Sequence, residues 1–134
     1  MISRKELRAT CKKHLQAHIK DIPIEYLPAN WKEYRITDSN GVVLIDYVGT
    51  RASEASGRQQ VTVTNISLYL CLKDHFNTDD QLELLDKLRI TMTNDLFING
   101  FRFAFQGDQR LGSEDGIWYW QIDFSLTGII YIGE

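Results

Sequence analysis

The fold is decided by the run Val42-Val43-Leu44-Ile45-Asp46-Tyr47-Val48. This run is β-branched and apolar over the length of one strand, as is typical of a strand covered on both faces. Asp46 is its one charged residue. The segment 60–72 then alternates, and its apolar side carries Ile66, Leu68, Leu70 and Leu72. We therefore expect two strands here, with half of the second projecting beyond the sheet.

A long loop is predicted between these strands, over residues 49–58. Its residues are small or charged and show no periodicity, and a loop of this length in a compact domain usually carries function. Three charged residues in it are candidates for a role: Arg51, Glu54 and Arg58. They are either exposed to solvent or in contact with a neighbouring subunit, and the sequence leaves both interpretations open.

Two amphipathic helices are predicted. The first covers residues 3–20, where apolar residues recur with a helical period and Ser3 with Glu6 forms a capping box. The second covers residues 79–93, and Thr78 with Gln81 has the same capping spacing. The apolar stripes are Leu7, Cys11, Leu15, Ile19 and Ile22 in the first helix and Leu82, Leu85, Leu88 and Met92 in the second.

An aromatic hairpin is predicted near the end of the chain. Phe101, Phe103 and Phe105 alternate with other residues, a turn-rich segment spans 107–116, and alternation returns over 117–126. The last strand is expected to face the core with Trp118, Trp120, Ile122, Phe124 and Leu126. A final short strand is expected over 128–132.

Shorter elements precede the central strands. Pro23 and Pro28 hold the residues between them extended, as a short strand or connector. The segment 31–36 is expected to pair at a sheet edge. The order of helix, strands, loop, strand, helix and hairpin predicts an α+β fold, with a mostly antiparallel β-sheet packed against two α-helices.

Composition bounds the class of protein. The 134 residues are 43% hydrophobic and 25% charged, which predicts a single domain over 1–134. A net charge of −3 argues against the basic footprint of a sequence-specific nucleic-acid binder. No apolar run approaches the roughly 18–20 residues of a membrane span, and the first residues lack the apolar core of a signal peptide. We expect a cytosolic protein without membrane contact.

The residues that carry chemistry do not form a recognisable catalytic set. His14 and His18 have the spacing of two metal ligands on one helix, but the glutamate of a zinc-protease helix and a third ligand are missing. Cys71 and His75 are a weak candidate pair, and a buried, inert thiol is the favoured interpretation of Cys71. We therefore expect no catalytic, cofactor or metal site and no enzyme. A small cytosolic enzyme or ligand-binding domain stays as the alternative.

The two central segments also resemble a known family. Its strand pattern G-x-x-x-V-x-Y-x-G-S is similar to this chain at Gly41, Ile45, Tyr47, Gly49 and Thr50, with Thr in place of the commoner Ser. The segment 116–124 is similar to an aromatic W-x-Y-x-x-x-F ending. Over residues 1–132 the chain thus resembles the Mu-like phage tail protein family related to tail terminators.

The resemblance implies a tail-terminator-like fold and a structural role in a phage or prophage. Six copies would form a ring on the head-proximal end of the tail tube, stop its polymerisation and help to join head and tail. The implied partners are further copies of the chain, the tail tube protein and a head connector or completion protein. The implied location is the host cytoplasm during assembly and then the virion tail. The alternative is an adaptor of another contractile injection particle.

The candidate interface residues come from the two predicted loops. They are Arg51, Glu54 and Arg58 in the first loop and Gln109, Arg110 and Glu114 in the second.

Overall fold

The computed structural model describes residues 2–53 and 61–128. Two α-helices, α1 (Arg4–His18) and α2 (Thr78–Asn94), are joined by strands and a short 3-10 helix at Trp31–Glu33. The strands are β1 (Ile24–Tyr26), β2 (Gly41–Ser53), β3 (Val61–Lys73), β4 (Ala104–Glu114) and β5 (Ile117–Thr127).

The described strands form one five-stranded sheet in the order β1-β2-β3-β5-β4. β1 runs parallel to β2, and the other three pairings are antiparallel. The α+β fold with a mostly antiparallel sheet and two helices is thereby confirmed.

Both helices cover the same face of the sheet and enclose the main core. Leu7, Cys11 and Leu15 of α1 are buried, as are Leu85, Leu88 and Met92 of α2. They pack on the side chains that the alternation of each strand directs to this face. Those strand residues include Val43 and Ile45 of β2, Ile66, Leu68, Leu70 and Leu72 of β3, and Trp120, Ile122, Phe124 and Leu126 of β5.

The second face of the sheet is covered over part of its length. Leu27, Tyr34 and Ile36 pack there against a smaller buried cluster that includes Val42 and Leu44. The prediction that the segment 31–36 pairs at a sheet edge is wrong, because it forms the 3-10 helix and lies on this face instead. The central run is therefore covered on both faces as far as Leu44.

β2 is longer than predicted, and the expectation of a loop from residue 49 is wrong. Thr50, Arg51 and Ala52 continue to pair with β3 after a bulge between Tyr47 and Gly49. Threonine side chains stabilise this extension, since the hydroxyl of Thr50 bonds those of Tyr47 and Thr64. The expected projection of β3 beyond the sheet is also wrong. β3 pairs with the extended β2 on one side and, from Val63 onward, with β5 on the other. Residues 54–60, and all but the first residue of the strand expected over 128–132, lie outside the described part.

The hairpin strand β4 begins and ends later than predicted, because Phe101 and Phe103 precede its first residue, Ala104. It runs through most of the turn-rich segment and ends at Glu114, before a turn at Asp115 and Gly116. Two glycines that indicated a turn lie instead beside β-bulges, after Phe105 and after Arg110. A bulge accommodates the positive φ of Gly107 and Gly112 within a strand.

The start of α2 differs from the predicted capping box. Asn77 is the N-cap, and its side chain accepts a hydrogen bond from the amide of Asp80. Gln81 points inward and is buried. Its Nε2 donates to the carbonyl of Phe76, and its Oε1 accepts from the indole of Trp120.

Candidate functional site

The first group of predicted interface residues lies at one end of the sheet. Arg51 is exposed on β2 and lies opposite Val63 of β3, which in turn lies opposite Thr127 of β5. It therefore belongs to a strand end and not to a loop. Glu54 and Arg58 lie outside the described residues.

The second group lies on the edge strand β4. Gln109, Arg110 and Glu114 are all exposed and belong to this strand, so the prediction that they lie in a loop is wrong. Paired residues of neighbouring strands share a face. Gln109 and Glu114 thus lie on the second face, beside Gln121 and Ile117, whereas Arg110 lies on the helix side beside Trp120.

Arg110 is held in place by aromatic rings. Its guanidinium lies 5.2 Å from the ring centroid of Trp118 and 6.0 Å from that of Trp120. A cation over an aromatic face is attracted by the negative centre of the ring. The guanidinium of Arg110 therefore lies over the rings of β5, on the helix side of the sheet and next to the edge strand β4.

The structure separates the two groups. Arg51 is level with Val63 of β3, whereas Glu114 pairs with Ile117, which is level with Lys73 at the other end of β3. The interval from Val63 to Lys73 corresponds to roughly 33 Å along a strand. The residues therefore do not form one site in a protomer, and they lie on different edges of it.

A row of polar residues on the second face was not anticipated as a unit. Asp46, Ser67 and Asp123 lie opposite one another on β2, β3 and β5. Ser67 Oγ donates to Asp123 Oδ1 over 2.6 Å, and Gln121 Nε2 donates to the same oxygen over 3.0 Å. The sequence marked Asp46 as an exception within its strand, but the register that joins it to Asp123 could not be predicted.

The row lines a shallow depression of about 430 Å³. Burial raises the pKa of Asp46. Burial also raises the pKa of Tyr69, and the nearby charges of Asp46 and Asp123 add to that effect. Two carboxylates beside a phenol make this surface a natural acceptor of hydrogen bonds and of positive charge.

The cysteines lie in surroundings that disfavour a nucleophile. Burial raises the pKa of Cys71 to about 12 and that of Cys11 to about 12. A thiol with such a pKa carries almost no thiolate at neutral pH, and the thiolate is the reactive form. His75 is exposed, and its Nε2 lies 3.2 Å from Oδ1 of Asn40.

The two helical histidines have backbone partners. His14 Nε2 lies 3.0 Å from the carbonyl oxygen of Thr91 and so donates to it, which ties α1 to α2. His18 Nδ1 donates to the carbonyl of His14 over 3.0 Å. Among residues 2–53 and 61–128, no group of three or more His, Cys, Asp or Glu side chains could hold a metal ion.

The fold and its surfaces define a small α+β protein whose sheet ends in two different edges. The family model described as Gp37 protein matches residues 12–132. The chain belongs to the Gp37 family, and this family is phage-associated. No curated protein matches the chain significantly. In the part of the chain that the structure describes, neither helix is long and apolar enough to cross a membrane.

Proposed function

We propose that the protein is a structural protein of phage tail assembly. In this proposal, copies of the chain close a ring on the head-proximal end of the tail tube, stop its polymerisation and help to join head and tail. The observation that carries the proposal is the difference between the two edges of one sheet, each of which offers backbone to a further strand.

The edges are formed by β4 and by the far half of β2. β4 has eleven residues, and in the described chain it pairs with β5 alone. β2 pairs with β1 only through Ile45, so within that same part its outer side has no strand from Asp46 to Ser53. Exposed strand edges are templates for pairing with another chain.

Two different edges on one protomer favour head-to-tail contact. When one surface of a copy binds a different surface of the next copy, the assembly closes into a ring if the rotation per copy allows it. A surface that bound itself would give a twofold dimer instead. The arrangement of edges in this fold is therefore consistent with ring closure.

Family membership and chemistry support the same proposal. The Gp37 family is phage-associated, and the strand pattern around Gly41 and Tyr47 resembles tail terminators. The thiols are buried, and the Ser67 hydroxyl donates to the carboxylate of Asp123 and not to a histidine ring. We propose a role in assembly and not in catalysis, with the tail tube protein and a head connector or completion protein as partners.

The proposed interface residues are divided between the two edges. Arg51 lies on the β2 side, and Gln109, Arg110 and Glu114 lie on β4. In a head-to-tail ring, each of these groups contacts a neighbour, on opposite sides of the same protomer. A head-to-tail ring therefore requires the residues on β2 and those on β4 to lie apart within one chain.

Removal of the protein from the phage or prophage that encodes it tests this role. We expect tails longer than those of the parent phage, together with heads that carry no tail. Electron micrographs of lysates give both the tail length and the fraction of joined particles. Tails of parental length joined to heads in the absence of the protein would overturn the proposal.

A further inference from the structure

The two helices carry opposite charge. α1 contains five Lys or Arg residues and one Glu, whereas α2 contains four Asp or Glu residues and two Lys or Arg residues. The net charge of the whole chain, −3, does not show this difference between the helices. The basic residues of α1 are Arg4, Lys5, Arg8, Lys12 and Lys13, and the acidic residues of α2 are Asp79, Asp80, Glu83 and Asp86.

The basic flank of α1 lies at the β1 edge of the protomer. The guanidinium of Arg8 lies 4.2 Å from the ring centroid of Tyr26 in β1, and Nζ of Lys12 lies 4.6 Å from it. Lys12 Nζ is also 3.5 Å from Glu25 Oε2. Lys5 is exposed and lies one helical turn before Arg8. Positive charge is therefore concentrated where the sheet ends at β1.

α2, with its excess of acidic over basic residues, lies at the opposite edge of the protomer, beside β4. Arg89 lies 5.8 Å from the ring centroid of Phe105 in β4, which identifies the side of α2 that faces this edge. Asp86 lies one turn earlier and 3.9 Å from Arg89, so it belongs to the same flank. Glu83 and Leu82 are exposed nearby on the helix, and Leu82 is 45% exposed.

We infer that the basic α1/β1 edge of one copy docks against the acidic α2/β4 edge of the next copy. The inference rests on the proposed ring and adds the helix flanks that meet beside its two sheet edges. Complementary charge steers two surfaces together and excludes like-charged pairings. Two basic α1/β1 edges repel each other, so charge favours the head-to-tail arrangement that a ring needs.

Charge reversal tests the inference. The variant Lys5→Glu/Arg8→Glu makes the α1/β1 edge acidic, and Glu83→Lys/Asp86→Lys makes the α2/β4 edge basic. Each variant alone presents like charges at every contact, and we expect the protein concentration at half-assembly to rise by about tenfold or more. Native mass and thermal unfolding are measured for each variant, so that a loss of folding is distinguished from a loss of assembly.

Two combinations restore opposite charges and so separate the inference from general damage. The four changes in one chain recover the wild-type net charge and the complementarity of the edges. An equimolar mixture of the two double variants does the same when they alternate around a ring with an even number of copies. We expect assembly within about threefold of wild type in both cases.

A matched control changes the net charge by the same amount, at a place outside both proposed edges. Lys32→Glu/Arg35→Glu lowers the net charge by the same amount on the segment that covers the second face, and we expect assembly as in wild type. If wild type forms rings but the double variants assemble equally well, or neither combination restores assembly, the inference is wrong and the proposed function stands. If wild type forms no ring, the proposed function fails as well.

Discussion

The indole Nε1 of Trp120 donates a hydrogen bond to Oε1 of Gln81 over 3.0 Å, and this buried contact joins β5 to the first turns of α2. Gln81 Nε2 donates in turn to the carbonyl of Phe76 over 2.9 Å. The side-chain amide of Gln81 thus makes hydrogen bonds both to the Trp120 indole of β5 and to the Phe76 carbonyl just before α2. Loss of this amide leaves a buried donor without its partner, which costs more than the net value of the bond.

We expect Gln81→Leu to lower the free energy of unfolding by about 1–3 kcal/mol. Urea unfolding of the purified variant measures this change. Gln16→Leu on the exposed side of α1 is the matched control, and we expect an effect within about 0.5 kcal/mol. Adding Trp120→Phe to Gln81→Leu removes the unsatisfied donor, so the double variant should lose less than the sum of the single variants. Equal effects of Gln81→Leu and Gln16→Leu would contradict this account of α2.

Gly41 begins β2 in a conformation that other residues rarely adopt. Its φ is +130°, and a Cβ atom there would lie 1.9 Å from the carbonyl oxygen of Cys71. Gly49 in the same strand has no atom within 4 Å of a Cβ. We expect Gly41→Ala to cost about 3 kcal/mol or more in the free energy of unfolding, and Gly49→Ala to change it by no more than about 1 kcal/mol. Similar unfolding midpoints for the two variants would show that the backbone is not held at Gly41 as described.

The elements that the sequence predicted well are those with strong periodicity. The stripe of Leu7, Cys11 and Leu15 identified α1, and the alternation from Trp120 to Leu126 identified the core face of β5. In both cases, one face of the element meets the core, and burial imposes the period that the sequence shows. The α+β fold followed from the order of these elements.

The errors concern places where local composition and tertiary pairing disagree. Glycine at positions 107 and 112 indicated a turn, but a bulge uses the same conformational freedom inside β4. Thr50 to Ala52 resembled a loop because the residues are small or charged, yet β3 provides partners for them. In both cases the extent of the strand depends on its pairing register with the neighbouring strand. That register is set by contacts between residues that are distant in the sequence.

The candidate site depended on register even more strongly. The exposed charges Arg51 and Arg110 could be selected from sequence, but their positions on different edges could not. Asp46 was visible in the sequence as the one charged residue of an apolar strand. Only the pairing of β2 and β5 with β3 brings Asp46 and Asp123 to opposite sides of Ser67.

The carboxyl group of Asp46 gives a pH-dependent test of the second face. Burial raises its pKa in the folded protein, so the native state binds a proton more readily than the unfolded state between the ordinary pKa of 3.8 and the raised one. Stability therefore falls as the pH rises through this interval. We expect Asp46→Asn to raise the free energy of unfolding at pH 7 by less than about 1 kcal/mol, and this gain to disappear at about pH 3.

Denaturant unfolding at the two pH values measures the difference. Asp108→Asn, an exposed carboxylate on β4, controls for the loss of an aspartate as such. A gain for Asp46→Asn that persists unchanged at the lower pH would contradict burial of a charged group as its cause.

Arg110 provides the most direct test of the β4 edge. We expect Arg110→Ala to raise the concentration at half-assembly by about fivefold to tenfold, because the variant removes a long side chain that lies over Trp118 and Trp120 beside the proposed contact. The free energy of unfolding should change by no more than about 1 kcal/mol, the usual value of an exposed cation–π contact.

Arg102→Ala is the matched control for that experiment. Arg102 is exposed and lies 4.4 Å from the ring centroid of Phe97, but it lies outside β4. Sedimentation velocity of both variants over one concentration series gives the comparison. Equal assembly of Arg110→Ala and wild type would remove Arg110 from the interface.

The central claim is that copies of this chain close a ring, and native mass spectrometry over a concentration series, with electron micrographs of the largest species, tests it most directly. The account predicts one discrete closed species with an open channel, as head-to-tail contact requires, of about six copies as the resemblance to tail terminators implies. A monomer at every concentration, or a twofold dimer that grows no further, would contradict it.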